Sequence, residues 1–322
     1  MRIFISGAAG FIGGAIAAKA ASSNMSAKAA SSGVSATAAS SDTVFGGVRR
    51  PQELGPRIKP VITGDLSETK FGLPDVDVVI HAAGLGHKRG VARAEWQNQN
   101  VDAAVNLARA AKLAGAKRFV LISTAYVHGR VHKGMVGDET PPAPMDEYAQ
   151  SKLDAEAAVV GAFGQGVTIL RPVAVIGPGC PGNILLLMKA LQRGTPLPFA
   201  GLDNKRGFIP ADDLAALALL AAHSAVSPPV LLAAHPENIS TPNLIRALAA
   251  GLGIAPRLFP FPSTLLDLGS QLLGRGAMWQ SLSGSFEVAP RTAFALGWKP
   301  RQTLVESLMD TARYYATTTK AP

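Results

Sequence analysis

The sequence predicts an α/β fold in which helices cover both faces of a doubly wound parallel sheet, with a smaller C-terminal α/β region. Short β-branched runs alternate along the chain with Ala- and Leu-rich segments at helical spacing. Proline and glycine punctuate shorter segments from Gly177 onward, which indicates the smaller region. The 322 residues are enough for one large α/β unit or two modest domains.

The predicted elements follow from these runs in chain order. Strands are expected at residues 1–6, 43–48, 77–81, 118–123 and 167–170, and helices between them at, among others, 101–114 and 148–160. The tract 208–222 and the strand-like run 230–233 are predicted to return to the sheet. Residues 20–41 are mostly alanine and serine, and we expect them to extend the first helix and continue into a mobile loop.

Composition and charge exclude several classes of function. The longest apolar runs, such as Leu214 to Ala222, are too short to span a bilayer, and the opening residues lack the apolar stretch of a signal peptide. We therefore expect a cytoplasmic protein. The net charge of +9 is scattered and aromatic residues are few, which argues against a nucleic-acid partner but suits an anionic substrate. Cys180 is the only cysteine and has no neighbouring metal ligands, so we expect neither a disulfide nor a metal.

A glycine-rich turn, G-A-A-G-F-I-G, directly follows the first predicted strand. Glycine is needed in such a turn because a side chain would collide with a bound pyrophosphate, while the following helix N-terminus supplies N–H donors. The turn therefore predicts a dinucleotide site of the Rossmann type formed by Gly7, Gly10, Phe11, Ile12 and Gly13. A plain strand–helix turn is the alternative.

Tyr148 and Lys152 lie four positions apart on a predicted helix and so share one face. A nearby cation favours the phenolate, which lowers the tyrosine pKa toward the working pH. Tyr148 can then exchange a proton with a substrate hydroxyl or carbonyl group.

The glycine spacing and the Tyr148–Lys152 pair resemble the extended short-chain dehydrogenases/reductases, the family of nucleotide-sugar epimerases and dehydratases. The resemblance covers most of the chain and implies a catalytic set of Thr124, Tyr148 and Lys152. Ser123 is the fallback for Thr124, and capping of the strand end is the alternative role of both hydroxyls. His128 stands where the family has a tyrosine, and we expect it in the pocket wall.

The same resemblance assigns further residues to the coenzyme. Gly64-Asp65-Leu66 is similar to the tract that contacts the adenine, and His81-Ala82-Ala83-Gly84 to the segment that lines the cofactor. Beyond the glycine turn, the implied coenzyme contacts are Arg49, Asp65, Leu66, Ala82, Ala83, Gly84, Asn100, Ser123, Tyr148, Lys152 and Pro172.

Arg49 affects the choice between the nicotinamide coenzymes. An acid at the tip of the second strand would bond the ribose hydroxyls of NAD, whereas an arginine there would neutralise the 2′-phosphate of NADP. The run Gly46-Gly47-Val48-Arg49-Arg50 contains no acid, and none follows before Glu53. The sequence thus slightly favours NADP(H) over NAD, and two solvated loop arginines are the alternative.

The resemblance also implies a site for the diphosphate of a UDP-sugar. Asn183 and Arg206 match residues that contact it, and a guanidinium would give bidentate, charge-assisted bonds. A surface charge is the alternative for Arg206. The family's second diphosphate arginine is absent, since Gln280 or Ser281 stands there, and Arg275 is its possible substitute. The predicted substrate contacts are Thr124, Asn183, Arg206 and Arg275.

Together these features predict an NAD(P)-dependent enzyme, most similar to bacterial UDP-sugar 4-epimerases and 4-keto-sugar reductases, that transfers hydride at carbon 4. Residues 1–176, with returns near 207–235, form the predicted coenzyme domain, and residues 177–206 and 236–322 the predicted substrate domain. The family implies a homodimer. The alternatives are a reductase of a steroid-like or flavonoid-like ketone and a coenzyme-binding sensor without catalysis; the retained Tyr148–Lys152 pair argues against the sensor.

Overall fold

The computed structural model describes residues 1–22, 42–86, 90–224, 228–272, 274 and 276–319. Its strands, in chain order, are β1 (Arg2–Ser6), β2 (Thr43–Val48), β3 (Ile58–Ile62), β4 (Val78–His81), β5 (Arg118–Ile122), β6 (Met135–Val136), β7 (Val167–Pro172), β8 (Ala174–Ile176), β9 (Arg206–Pro210), β10 (Val230–Ala233), β11 (Asn238–Ile239) and β12 (Glu287–Val288).

The described α-helices, in chain order, are α1 (Phe11–Ser22), α2 (Arg93–Trp96), α3 (Ala103–Leu113), α4 (Glu147–Phe163), α5 (Asn183–Gln192), α6 (Ala211–His223), α7 (Thr241–Leu252), α8 (Ser263–Leu272), α9 (Gly276–Ser283), α10 (Arg291–Ala295) and α11 (Leu304–Thr319). Gln97–Asp102 forms a π-helical turn between α2 and α3, and Ala125–His128 forms a 3₁₀ turn. Beyond Ser22, the predicted helix extension and loop at 20–41 lie outside the described residues.

A seven-stranded sheet in the order β10-β7-β5-β4-β1-β2-β3 runs through the described part of the chain. Each neighbouring pair from β3 to β7 is parallel. The strand order reverses between β1 and β4, and in such sheets ligands bind at the carboxyl ends of the strands beside the reversal. The predicted doubly wound, Rossmann-type sheet is confirmed. The second strand matches its predicted range of 43–48, whereas β3 was not predicted.

The chain forms two compact units. The first comprises Met1–Val127, Asp146–Arg171 and Leu214–Leu231, and the second comprises His128–Met145, Pro172–Asp213 and Leu232–Pro322. The sequence-based division differs from this one because it placed four segments of the second unit in the first domain: residues 128–145, 172–176, 207–213 and 232–235.

Strand pairing explains the difference. β9, at the start of the tract predicted to return to the main sheet, instead joins a three-stranded sheet in the order β11-β9-β8. The hydrogen-bonded partner of β6, within 128–145, is β12. Of the two tracts predicted to return to the main sheet, 208–222 and 230–233, only the second forms a strand of the seven-stranded sheet, β10.

The core of the first unit lies between the sheet and the helices α3 and α4. Phe4, Leu107 and Phe119 are fully buried there, and the rings of Phe119 and Phe163 lie 5.6 Å apart between centroids. Burial of one such side chain contributes about 1.5–3 kcal/mol relative to its exposure. Because strands buried on both faces are apolar throughout, β1, β4 and β5 were predictable as short continuous runs. This packing fixes their carboxyl ends, where the candidate site begins.

The second unit is a smaller α/β assembly, as predicted. Its helices α7 and α11 pack so closely that a Cβ on Gly251 would overlap the Met309 carbonyl oxygen. Trp298 donates a 3.0 Å hydrogen bond from Nε1 to the Asp213 carbonyl oxygen. Across the described residues, no helix is long and apolar enough to cross a membrane, and no group of three or more metal-binding side chains occurs.

Candidate active site

The turn between β1 and α1 and the first turn of α1 each contain a glycine with no space for a side chain. Gly7 has φ +67°, and a Cβ on it would lie 3.0 Å from the Ala83 backbone. A Cβ on Gly13 would overlap the Gly7 carbonyl oxygen and lie 2.6 Å from its carbon. The Gly10 amide closes the turn with a 2.8 Å hydrogen bond to the same oxygen. The resulting concave backbone at a helix N-terminus fits the pyrophosphate of a dinucleotide.

Ser6 joins the end of β1 to the segment after β4. Its Oγ accepts hydrogen bonds of 3.1 Å from the amides of Ala82 and Ala83 and lies 2.7 Å from Nδ1 of His81. Since two acceptor positions are used, the hydroxyl proton points to Nδ1, and His81 carries its own proton on Nε2. Burial, together with the charge of Lys152, lowers the pKa of His81 to about 3. His81 is therefore neutral. The sequence analysis did not identify the hydrogen bonds by which Ser6 anchors the segment after β4.

Asn100 links the loop after β4 to the helix of the predicted tyrosine. The residue is buried in the π-helical turn, where its Oδ1 accepts from the Leu85 amide at 2.7 Å. Its Nδ2 donates to the Leu85 carbonyl oxygen at 3.2 Å and to Ser151 Oγ at 2.9 Å. A Cβ on Gly84, which has φ +146°, would lie 2.9 Å from Asn100 Oδ1. The amide thus links the Leu85 backbone to Ser151 of α4 and leaves no space for a side chain at Gly84.

Tyr148 lies in the first turn of α4, where the sequence placed it. Asp146 caps this helix by accepting a 2.8 Å hydrogen bond from the Ala149 amide. The Tyr148 ring packs edge-on against Trp96, with 5.7 Å between centroids. The sequence analysis did not find this contact of Trp96 with the predicted tyrosine.

Lys152 lies one turn after Tyr148 and is buried. Its Nζ donates a 2.7 Å hydrogen bond to the Ile122 carbonyl oxygen at the end of β5. Burial lowers the pKa of Lys152 to about 8, although the carboxylate of Glu156 raises it. The side chain is therefore mostly charged at pH 7 and close to its titration range.

The two hydroxyls after β5 have different partners. Ser123 Oγ donates a 2.5 Å hydrogen bond to Glu156, whose carboxylate also receives Nε and Nη2 of Arg171 at 3.1 and 2.6 Å. The Ser123 proton is therefore used within a buried ion-pair network. Thr124 is also buried, and its Oγ1 accepts a 3.2 Å hydrogen bond from the Tyr126 amide, a contact that does not use the hydroxyl proton. Of the two predicted candidates, the geometry favours Thr124 as a donor to a ligand.

A polar cluster follows the ends of β2 and β3. Arg49 donates a 2.9 Å hydrogen bond from Nη2 to Gln99 and lies 3.6 Å from the Asp65 carboxylate. Gln99 Nε2 contacts the two Asp65 oxygens at 3.3 and 3.2 Å. Burial would raise the pKa of Asp65, but the hydrogen bonds from Ser67 and Gln99 and the Arg49 charge outweigh it and lower this pKa. Arg49 is thus held by protein partners while its side chain stays 63% exposed.

The remaining predicted coenzyme residues lie on several elements. Phe11 and Ile12 begin α1 and are half-buried, and Leu66 is buried after β3. Pro172 ends β7 and belongs to the second unit. His128, predicted for the pocket wall, is buried in the second unit, and its Nδ1 lies 3.3 Å from the Pro141 carbonyl oxygen.

The predicted diphosphate residues belong to the second unit. Arg206 begins β9 and is only 4% exposed, so the alternative of a surface charge is wrong. Its Nη1 donates to the carbonyl oxygens of Gly284 at 2.9 Å and Gln280 at 3.4 Å. Asn183 is half-buried at the start of α5. Arg275 lies outside the described residues.

A sequence model described as the NAD dependent epimerase/dehydratase family matches residues 3–232. The chain belongs to this family. A family relative, the UDP-glucose 4-epimerase of Vibrio cholerae, is 33% identical over 269 residues, which are 78% of this chain and 81% of the relative. A dTDP-6-deoxy-L-talose 4-dehydrogenase (NAD(P)(+)) of Kitasatospora kifunensis is 28% identical over 248 residues, 73% of this chain and 74% of the relative.

One solved structure shares its fold with this chain over the full length of both proteins. The UDP-glucuronic acid 4-epimerase of Bacillus cereus, in complex with NAD, superposes with a TM-score of 0.72 at 21% identity and covers 100% of both chains. The predicted resemblance to the extended short-chain dehydrogenases/reductases is confirmed, and the chain is an NAD-dependent enzyme of the epimerase/dehydratase family.

Proposed function

We propose that this protein is a UDP-sugar 4-epimerase, which oxidises carbon 4 of the sugar and restores it with the opposite configuration. The observation that carries the proposal is the buried Lys152 one helical turn after Tyr148, with Thr124 after the adjoining strand. The similarity to the Vibrio cholerae UDP-glucose 4-epimerase supports the choice of substrate and reaction, because it extends over 78% of this chain.

The close backbone packing at Gly7 and Gly13 supports the binding of NAD(P), because it holds the N-terminus of α1 and its N–H groups in the arrangement that binds a pyrophosphate. NAD(P), when bound, accepts a hydride from the substrate and returns it. In this proposal the glycine turn holds the pyrophosphate, Asp65 contacts the adenosine, and Lys152 holds the nicotinamide ribose.

Three side chains would handle the proton at the sugar. The Tyr148 phenolate takes the proton of the C4 hydroxyl as the C4–H bond breaks, which leaves a ketone. The same phenol returns the proton when hydride adds to the other face, so protons and electrons balance over the cycle. Lys152 stabilises the phenolate by its charge, and Thr124 donates a hydrogen bond to the reacting oxygen.

Arg49 supports a second candidate, the reduction of a 4-keto sugar with NADP(H). An arginine at the end of β2 suits a 2′-phosphate, and a reductase exchanges its coenzyme every turnover. The Asp65 carboxylate, 3.6 Å from Arg49, already offsets part of that charge. We therefore expect only a small preference between NADP(H) and NAD. The Kitasatospora kifunensis relative is named as using NAD(P)(+).

Burial of Arg206 supports a role in holding the substrate diphosphate. A buried guanidinium needs compensating negative charge, and the two carbonyl oxygens at 2.9 and 3.4 Å supply only dipoles. The diphosphate would then lie between Arg206 and Asn183. The cytoplasmic location and the homodimer stay predictions.

The function is tested by incubating the protein with UDP-glucose and NAD and following the C4 epimer by proton NMR. We expect Tyr148→Phe to lower kcat at least 100-fold, the usual scale for loss of a general acid–base group, with coenzyme affinity unchanged within about threefold. Tyr314→Phe, an exposed tyrosine of α11, is the control and should keep wild-type turnover. Full activity of Tyr148→Phe would overturn the proposal.

A further inference from the structure

The π-helical turn Gln97–Asp102 directs two consecutive amide side chains to different neighbours. Asn100 bonds to the loop after β4 and to α4, whereas Gln99 reaches the ends of β2 and β3, where it contacts Arg49 and Asp65. Turns of this kind are rare and occur frequently at functional sites. The reaction proposed above does not use Gln99.

The Gln99 amide has one orientation that satisfies both of its charged neighbours. A guanidinium only donates hydrogen bonds and a carboxylate only accepts them. Gln99 Oε1 accepts a 2.9 Å hydrogen bond from Nη2 of Arg49, and its Nε2 lies 3.3 and 3.2 Å from the two oxygens of Asp65. We name Arg49, Gln99 and Asp65 the amide bridge, since the amide connects the cation to the anion.

Asp65 is a fixed negative charge in the amide bridge. Ser67 donates to its Oδ1 from the amide at 2.9 Å and from the hydroxyl at 2.8 Å. Burial would raise the pKa of Asp65, but these hydrogen bonds, those from Gln99 and the Arg49 charge lower it, so the carboxylate is ionised at neutral pH. It lies 3.6 Å from Arg49 Nη2, which is beyond hydrogen-bond distance. The hydrogen bond to Arg49 therefore comes from Gln99, whereas Asp65 attracts the guanidinium by its charge.

The amide bridge affects how Arg49 can meet a coenzyme. NADP differs from NAD by a 2′-phosphate on the adenosine ribose, and an arginine at the end of β2 can neutralise it. To do so, Arg49 has to exchange its hydrogen bond with Gln99 for one with the phosphate. The nearby Asp65 carboxylate also repels a phosphate. Both effects reduce the gain from the additional phosphate contact.

We propose that Gln99 is a specificity-determining residue, which holds Arg49 toward Asp65 and thereby weakens the binding of NADP(H) relative to NAD(H). This inference rests on the coenzyme site of the proposed function. Arg49 alone would favour NADP(H), and the amide bridge counteracts that preference.

The test is the ratio of the dissociation constants for NADPH and NADH, measured by fluorescence titration at one low salt concentration, because salt screens exposed charges. Gln99→Leu keeps the approximate size of the side chain and removes its hydrogen bonds. Because Ser67 still holds Asp65, we expect Arg49 to be released and the affinity for NADPH relative to NADH to rise about threefold to tenfold, the range of one net hydrogen bond.

Gln97→Leu is the matched control, because it changes the same residue type in the same π-helical turn. Gln97 is exposed and bonds to Asp102 rather than to the amide bridge. Its coenzyme ratio should stay within about twofold of the wild type. Both coenzymes are titrated on the same sample, so a smaller folded fraction in any variant cancels in the ratio.

A double-mutant cycle with Arg49→Leu separates a specific effect from a structural one. In the Arg49→Leu background, Gln99→Leu should change the ratio by less than about twofold, because no guanidinium is left to release. A rise that persists in this background would overturn the proposal and assign the effect to another group, such as Arg50.

An unchanged or lowered relative affinity for NADPH in Gln99→Leu would also overturn the role of Gln99, while binding of both coenzymes would leave the proposed function intact. Failure of the wild type to bind either coenzyme is a different result, since it would refute the coenzyme site of the proposed function itself.

Discussion

Replacing Gly13 with alanine perturbs the turn that we propose holds the coenzyme. A Cβ there would overlap the Gly7 carbonyl oxygen, lie 2.6 Å from its carbon and 3.0 Å from the Ser6 carbonyl oxygen. All three are backbone atoms, so relief requires a shift of the turn or of α1. Overpacking of this kind costs about 1–3 kcal/mol, and the helix propensity of alanine returns about 1 kcal/mol. We expect the free energy of unfolding to fall by about 1 kcal/mol.

Coenzyme binding should suffer more than stability. The shift displaces the N–H groups that would face the pyrophosphate in the proposed site, and loss of one charge-assisted hydrogen bond is worth about 1.5–3 kcal/mol. This corresponds to an affinity for NADH or NADPH at least tenfold lower. Fluorescence titration measures the affinity, and urea unfolding measures the stability.

Gly14→Ala is the matched control because it changes the next residue of the same helix. A Cβ there would lie 3.2 Å from the Ala8 carbonyl oxygen, a contact that a shift of a few tenths of an ångström relieves. We expect its coenzyme affinity to stay within about threefold of the wild type, since the Gly7 carbonyl is not displaced. Equal losses of affinity in Gly13→Ala and Gly14→Ala would refute the reasoning.

Three further predictions concern the buried groups of the site. As pH rises through about 8, Lys152 loses its charge, so kcat/KM should fall; a pH–rate profile flat to pH 10 would contradict this. Glu156→Gln removes a buried negative charge that pairs with Arg171 and that raises the Lys152 pKa. We expect the free energy of unfolding, measured by urea denaturation, to fall by about 3 kcal/mol. We also expect the fall of kcat/KM at alkaline pH to begin at a lower pH than in the wild type. A fall at the wild-type pH would show that Glu156 does not raise the Lys152 pKa. Thr124→Ala should lower kcat at least tenfold and more than Ser123→Ala does, whereas the reverse order in steady-state assays would make Ser123 the reacting hydroxyl.

The local geometry that sequence reasoning predicted depends on residues close together in the chain. The glycine turn follows its strand directly, and Tyr148 and Lys152 are separated by one helical turn, so local spacing determines their geometry. The alternation of buried strands with helices likewise determined the sheet.

The features that were missed depend on long-range pairing. Ser6 meets His81 across 75 residues, and Ser123 meets Glu156 across 33, without any periodic signal. Glu156 itself follows Lys152 by one turn, and this spacing was a signal that could have identified it. The assignment of β9 to a separate sheet was not predictable because its apolar run fits either sheet.

The central claim, epimerisation at carbon 4, is tested most directly with a UDP-hexose that carries deuterium at C4. The protein is incubated with this substrate and NAD, and the product is analysed by proton NMR and mass spectrometry. An epimerase returns the hydride that it removed, so the account predicts a C4 epimer that retains the deuterium, with no net production of NADH. Absence of the epimer, or a product whose C4 deuterium has been lost, would contradict it.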